Sequence, residues 1–238
     1  MQALLFDCDG VLADTERDGH RVAFNGAFAA RGIAAEWSVE RYADLLRTAG
    51  GKERMRRWFD QDGWPVAEAE RDALIADLHR TKTALFMEIV EAGLVPLRPG
   101  VARLIDEAQA ARLPVAICST SAERSVQAIV NQLGTARASK IRLFAGDVVP
   151  AKKPDPAVYF LAAETLGVAP ARCVVVEDSA NGLRAAVAAG MACIVTTSSY
   201  TADEDFAGAA RIVSELGDPP TAQITLDDCR AALVAVVT

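Results

Sequence analysis

Five short apolar runs constrain the fold more than any other feature of the chain: Ala3–Phe6, Val115–Cys118, Leu143–Ala145, Cys173–Val176 and Cys193–Val195. Each holds three or four residues and gives way to turn-forming or polar residues, which suits a fully buried strand and is too short for a buried helix. Between them lie stretches with helical spacing, Val101–Ala110, Ala122–Leu133, Pro156–Leu166 and Gly182–Ala189. A last helix is expected from Leu226 to Val236, after the loop Gly217-Asp218-Pro219-Pro220. Strands alternating with helices predict an α/β fold, a doubly wound, Rossmann-like parallel sheet whose ligands lie beyond the carboxyl ends of the strands at a switch point.

Residues 16–92 break that alternation. The apolar spacing there is helical, first at Ala23, Phe24, Ala27 and Phe28, then at Leu74, Leu78, Leu85 and Ile89. Trp64-Pro65 separates two of the helices, because proline suits a helix start and not its interior. Pro96 and Arg98-Pro99-Gly100 mark the return to the sheet. The expected division is therefore a core domain of residues 1–15 and 93–238 and an inserted helical cap domain of residues 16–92. An insertion directly after the first strand would act as a lid over that strand's carboxyl end.

Bulk properties narrow the function classes. At 238 residues and 51% hydrophobic content the chain can bury a real core. The net charge of −7 argues against a nucleic-acid partner, since phosphate backbones need clustered Lys and Arg. No apolar run approaches the roughly 20 residues that cross a bilayer, so no membrane partner is expected. The five cysteines are odd in number and lack paired metal-ligand spacing, which fits reduced thiols in a cytoplasmic compartment, or in the plastid stroma if a transit peptide has been removed. A monomer is expected.

The chemistry concentrates at the ends of the apolar runs. Asp7-Cys8-Asp9-Gly10 places two carboxylates just past the first strand, projecting toward the same side. A turn or helix cap could use such residues, but a divalent cation would reward them both, and Mg2+ takes a few protein oxygens and leaves the rest to phosphate and water. Glu177-Asp178 repeats the pattern after the run Val174–Val176, where capping the next helix is the plain alternative. Ser119-Thr120-Ser121 ends a third run with hydroxyls ahead of a helix, an arrangement suited either to capping or to phosphate oxygens. Lys152-Lys153-Pro154-Asp155-Pro156 offers ammonium groups in what could be a surface turn. The features complement one another: four carboxylates carry about −4, and one Mg2+ and one lysine cancel most of it while a phosphate is held.

In order and in residue type, these segments resemble the four motifs of the haloacid dehalogenase-like phosphotransferases: Asp7-Cys8-Asp9-Gly10-Val11, Ser119, Lys153, and Val176-Glu177-Asp178-Ser179. The resemblance implies that Asp7 is a nucleophile forming an aspartyl-phosphate, and that Asp9 protonates the leaving alcohol and then activates water. It implies that Ser119 and Lys153 grip the phosphoryl group, with Thr120 and Ser121 beside them. Mg2+ would be held by Asp7, Asp178 and the Asp9 carbonyl, with Glu177 one layer further out. A narrower resemblance is to the CbbY-type phosphatases, which act on xylulose 1,5-bisphosphate, an inhibitory by-product of rubisco. It rests on Gly50-Gly51-Lys52-Glu53-Arg54, His79-x-x-Lys82-Thr83, Lys152-Lys153-Pro154-Asp155-Pro156 and Tyr200-Thr201.

This resemblance implies a sugar-phosphate substrate contacted by Glu16, His20, Tyr42, Gly51, Lys52, Arg54 and Lys82. Glu16 and His20 are separated by three residues where it implies two. Arg56, Arg57, Asp44 and Arg47 are read as solvated cap charges, and Trp58, Trp64 and Phe86 as cap core. The rival readings are a sugar-phosphate mutase, a phosphatase for another small phosphate such as phosphoglycolate, a dehalogenase, and a phosphoacceptor receiver module. In a receiver module the acidic pair belongs to the first strand and the acceptor to a middle one, an order this chain does not follow.

Overall fold

The structure, a computed structural model, describes residues 1–48 and 50–235. In chain order, β1 (Ala3–Phe6) is followed by a π-helical turn at Thr15–His20 and by α1 (Arg21–Ala30), α2 (Val39–Leu46), α3 (Gly51–Asp62) and α4 (Arg71–Glu91). Then come α5 (Val101–Ala110), β2 (Val115–Cys118), α6 (Glu123–Asn131), α7 (Thr135–Ala138), β3 (Ile141–Phe144) and α8 (Ala157–Leu166). β4 (Cys173–Glu177), α9 (Ala180–Ala188), β5 (Ala192–Thr196), β6 (Arg211–Val213) and α10 (Leu226–Ala235) complete the chain. Val236, the expected end of the last helix, lies outside the described residues. The chain divides into a core unit, Met1–Asp14 with Val95–Thr238, and a cap unit, Thr15–Leu94.

In the core unit six strands form one sheet in the order β3-β2-β1-β4-β5-β6, and every neighbouring pair is parallel. Chain order runs outward from β1 to β3 on one side, then resumes at β4 on the other. The switch point therefore lies between β1 and β4, where Phe6 pairs with Val176. All residues of β1, β2, β4 and β5 are buried, as strands covered on both faces must be. Leu5, Cys118, Val175 and Val195 point to one face, against Val158, Tyr159 and Ala162 of α8 and Leu183 and Ala186 of α9. α5 and α10 pack on each other; α5 also lies against β2, and α10 against β4 and β5. All five cysteines are free and buried.

Two strands differ from the sequence expectation. β3 starts at Ile141, earlier than expected, because exposed Arg142 interrupts its apolar run on a half-covered strand. β6 has no counterpart among the apolar runs: it is an edge strand whose Arg211 and Ile212 are exposed, so burial left no mark on its composition.

The cap unit is built on α1 packed along α4. Ala23, Phe24, Ala27 and Phe28 form the buried stripe of α1, as their spacing predicts. On α4 the fully buried residues are Ile75, Leu78, Phe86 and Val90, so the stripe is rotated by about a residue from the one expected. Trp37 is wholly buried and lies 4.8 Å from Phe24 and 4.9 Å from Phe28, ring centre to ring centre. Each such ring contributes roughly 1.5–3 kcal/mol by burial. Among the described residues, no helix is long and apolar enough to cross a membrane.

Candidate active site

The sheet register brings the acidic strand ends together. Asp7 follows β1 directly and its backbone N–H donates to the Val176 carbonyl at 2.9 Å, so it lies beside Glu177 and Asp178 at the end of β4. Carboxylate oxygens of Asp7, Glu177 and Asp178 lie within 4.8 Å of one another, and all three residues are buried. Lys153 enters this cluster from the segment before α8. Its ammonium donates to Asp7 Oδ1 at 2.5 Å, Glu177 Oε1 at 2.6 Å and the Cys118 carbonyl at 2.8 Å. Its side chain is only 8% exposed, which removes the surface-turn alternative.

Three carboxylates against one ammonium leave an excess of negative charge in a buried site. Burial pushes the Asp7 carboxyl up to about 7; Lys153 opposes the rise, and Glu177 and Asp9 add to it. Asp178 is raised well above the carboxylate range by burial first and then by Glu177 and Asp7, while a hydrogen bond from the Ser198 hydroxyl works against the rise. Burial alone would lower Lys153, but Asp7 and Glu177 outweigh it and hold the ammonium charged. A divalent cation with a preference for hard oxygen ligands fits this donor set, since it would stabilise the ionised carboxylates that burial disfavours.

Two glycines are part of the cluster. Gly10 has φ +76°, and a Cβ on it would lie 2.0 Å from Asp178 Oδ2, so the Asp178 carboxylate rests directly on the Gly10 backbone. A Cβ on Gly182 would lie 1.9 Å from Glu177 Cδ, so Glu177 rests on the first turn of α9. The cap of α9 is Ser179, whose Oγ accepts from the Gly182 N–H at 3.1 Å. Glu177 and Asp178 therefore do not cap the helix that follows them.

The hydroxyls after β2 are likewise not spent on capping. Ala122 occupies the cap position of α6 and no side chain caps that helix. Ser121 Oγ donates to Asp9 Oδ2 at 2.6 Å, and Ser119 Oγ donates to the same oxygen at 3.3 Å. Ser119 is buried, whereas Thr120 is exposed and its carbonyl accepts from Lys152 Nζ at 3.2 Å. Asp9, Ser119 and Ser121 thus form one bonded group and Asp7, Lys153, Glu177 and Asp178 another, and Lys153 brings the two together by bonding the carbonyl of Cys118, the residue before Ser119.

Within the cap unit, the residues singled out from the sequence gather around Phe24. Tyr42 hydroxyl donates to Glu16 Oε2 at 2.6 Å, and Arg54 donates to the Tyr42 hydroxyl at 2.7 Å. The Arg54 guanidinium lies 6.0 Å and the Lys82 ammonium 4.9 Å from the Phe24 ring centre. Lys82 Nζ is 2.8 Å from His20 Nδ1, and the His20 ring lies 3.8 Å from that of Phe86. A Cβ on Gly51 would lie 3.3 Å from Phe24. Lys52 is exposed at the start of α3. The extra residue between Glu16 and His20 falls in the π-helical turn, where the longer hydrogen-bond period takes up one residue more than an α-helix does. Arg56 pairs with Asp72 and Arg57 with Asp44, in keeping with their reading as cap charges.

Two participants carried no recognisable signal in the sequence. Tyr159 of α8 donates its hydroxyl to Glu177 Oε1 at 2.5 Å, yet a tyrosine on a buried helical stripe reads as core. Arg98, read as part of a turn, donates to the Gly10, Thr196, Thr197 and Ser214 carbonyls.

Comparison with known proteins gives the family of the chain. The family model described as haloacid dehalogenase-like hydrolase matches residues 1–190. The chain is 58% identical over 236 residues to the CBBY-like protein of Arabidopsis thaliana, covering 97% of this chain and 74% of that protein. It resembles the crystal structure of CbbY from Rhodobacter sphaeroides in complex with phosphate, with a TM-score of 0.76, 41% identity, and 97% and 99% of the two chains covered. A mutant of that CbbY in complex with xylulose-(1,5)bisphosphate gives a TM-score of 0.74 and 42% identity over 92% and 96% of the chains. With residues 1–190 matched by the family model and relatives 41% to 58% identical along nearly its whole length, the chain belongs to the haloacid dehalogenase-like hydrolases.

Proposed function

We propose that this phosphatase removes one phosphate from xylulose 1,5-bisphosphate, giving xylulose 5-phosphate and inorganic phosphate, with Asp7 as nucleophile. The observation that carries the reading is the buried Asp7 carboxylate, gripped by Lys153 and clustered with Glu177 and Asp178 at the sheet's switch point. A carboxylate oxygen of Asp7 attacks phosphorus while the bond to the sugar oxygen breaks, and Asp9 gives that oxygen a proton. Asp9 then takes a proton from the water that attacks the aspartyl-phosphate, which releases inorganic phosphate and restores Asp7. Ser121 and Ser119 hold the Asp9 carboxylate between these two transfers. Lys153 keeps one oxygen of Asp7 fixed and supplies positive charge to the transferring group.

Asp7, Asp178 and the Asp9 carbonyl would hold Mg2+, with Glu177 behind them, bonded to Lys153 and Tyr159. When bound, the cation withdraws charge from the phosphoryl oxygens. A bisphosphate calls for a second cationic group, and Arg54, Lys82 and Lys52 of the cap unit are the residues we assign to it. Burial first, and then the nearby Lys82 and Lys52, lower the His79 imidazole below its usual range, while Glu53 opposes them.

The test is phosphate release across a panel of sugar mono- and bisphosphates, with and without Mg2+, beside the Asp7→Asn variant. Xylulose 1,5-bisphosphate should be preferred, activity should require the cation, and the variant should fold yet be inactive. Preference for monophosphates would remove the substrate assignment. An isomeric phosphate as product would point to a mutase, and substantial activity in Asp7→Asn would remove the mechanism.

A further inference from the structure

Arg98 stands at a junction of the core unit that none of the catalytic motifs accounts for. Its half-buried guanidinium bonds the Gly10 carbonyl in the loop after β1, and reaches the Thr196 carbonyl at 3.2 Å and the Thr197 carbonyl at 2.7 Å at the end of β5. It also reaches the Ser214 carbonyl after β6 at 2.6 Å, and its own N–H donates to Leu12 O at 2.8 Å. Three segments far apart in sequence are therefore tied to one planar group with a fixed fork of donors. Two of the tied segments carry the partners of Asp178. The Gly10 backbone is the surface on which Asp178 Oδ2 rests, and Ser198, which follows Thr197, is the side chain that opposes the rise of the Asp178 carboxyl.

We propose that Arg98 is a positioning residue for the divalent cation: by fixing the Gly10 carbonyl it sets the backbone surface that aims the Asp178 carboxylate, and by fixing the Thr197 carbonyl it holds the segment that carries Ser198. The inference rests on the metal reading given above and deepens it. Outer partners of metal ligands typically change metal affinity by about 10- to 100-fold when removed. Lysine keeps the charge but has a single nitrogen, so Arg98→Lys and Arg98→Met should both lose the fork.

The experiment uses the metal alone. Free Mn2+, an ion of the same oxygen-ligand preference as Mg2+, is counted by electron paramagnetic resonance during titration of the full chain. Both variants should melt cooperatively and bind Mn2+ about 10- to 100-fold more weakly than the unsubstituted protein, while kcat at saturating Mg2+ returns toward the unsubstituted value. In a Ser198→Ala background the same substitution should have a smaller effect, because the side chain carried by the Thr197 segment is already gone. Unchanged Mn2+ binding in both variants, a kcat that stays low at saturating metal, or loss of folding in both would overturn the role of Arg98. Failure of the unsubstituted protein to bind Mn2+ would instead overturn the metal reading on which it rests.

Discussion

Replacing Gly182 with alanine sets two physical effects against each other. Gly182 lies in the first turn of α9, where helix propensity alone favours alanine by about 1 kcal/mol. The added Cβ, however, would lie 1.9 Å from Cδ and 2.0 Å from Oε1 of Glu177, a side chain that is 1% exposed. That carboxylate cannot swing into water, and it is held on three sides by Tyr159, Lys153 and the Asp178 N–H. Moving it leaves the buried Tyr159 hydroxyl unpaired, a cost of about 1–3 kcal/mol. It also strains a buried ion pair whose full rupture costs about 3–5 kcal/mol, although Lys153 keeps Asp7 at 2.5 Å. Less the helix gain, the net effect is a destabilisation of about 2–4 kcal/mol. For a domain of this size that lowers Tm by roughly 4–16 °C. Circular dichroism melts measure it directly. In a Glu177→Ala background, where the three atoms nearest the Cβ are gone, Gly182→Ala should turn neutral or stabilising. A Gly182→Ala protein that melts at or above the parent, or a deficit that survives removal of the Glu177 side chain, would refute the reasoning.

Tyr159→Phe removes one hydrogen bond to Glu177 while keeping the ring beneath the Lys153 ammonium, so denaturant unfolding should show a loss of about 1–2 kcal/mol and kcat should change little. In metal-free protein, Asp7, raised to about 7, and Asp178, raised well above its ordinary range, retain protons that the unfolded chain gives up near pH 4, so the stability they contribute falls as pH rises through 7. In EDTA the protein should therefore melt at a lower temperature at pH 8.5 than at pH 6.5, and Mg2+ should narrow the gap because it binds the ionised carboxylates. An EDTA melt that rises over that interval would contradict the electrostatics assigned to the site.

The sequence was most informative where a local pattern and a chemical group coincide. A run of buried residues marks a strand, the next polar residue is its carboxyl end, and the parallel sheet then places all such ends along one edge. Asp7, Ser119 and Asp178 each sit one residue past a strand, so reading the strands amounted to reading the site. The same logic explains what was missed. β6 lacks a buried face, so nothing in its composition distinguishes it from loop. Tyr159 occupies a position that the hydrophobic pattern already explains, and its hydroxyl adds nothing to the period. Gly10 and Gly182 are visible as letters, but only the folded chain shows that each is small because a buried carboxylate lies against it. Arg98 is the extreme case: it lies 88 residues from Gly10 and acts on main-chain carbonyls, which every residue type provides alike. A side chain that recognises another side chain leaves two letters to be matched, whereas one that recognises the backbone leaves only its own. Groups that hold an active site together through main-chain oxygens are therefore invisible to motif reading, even when the acids they orient are plain to see.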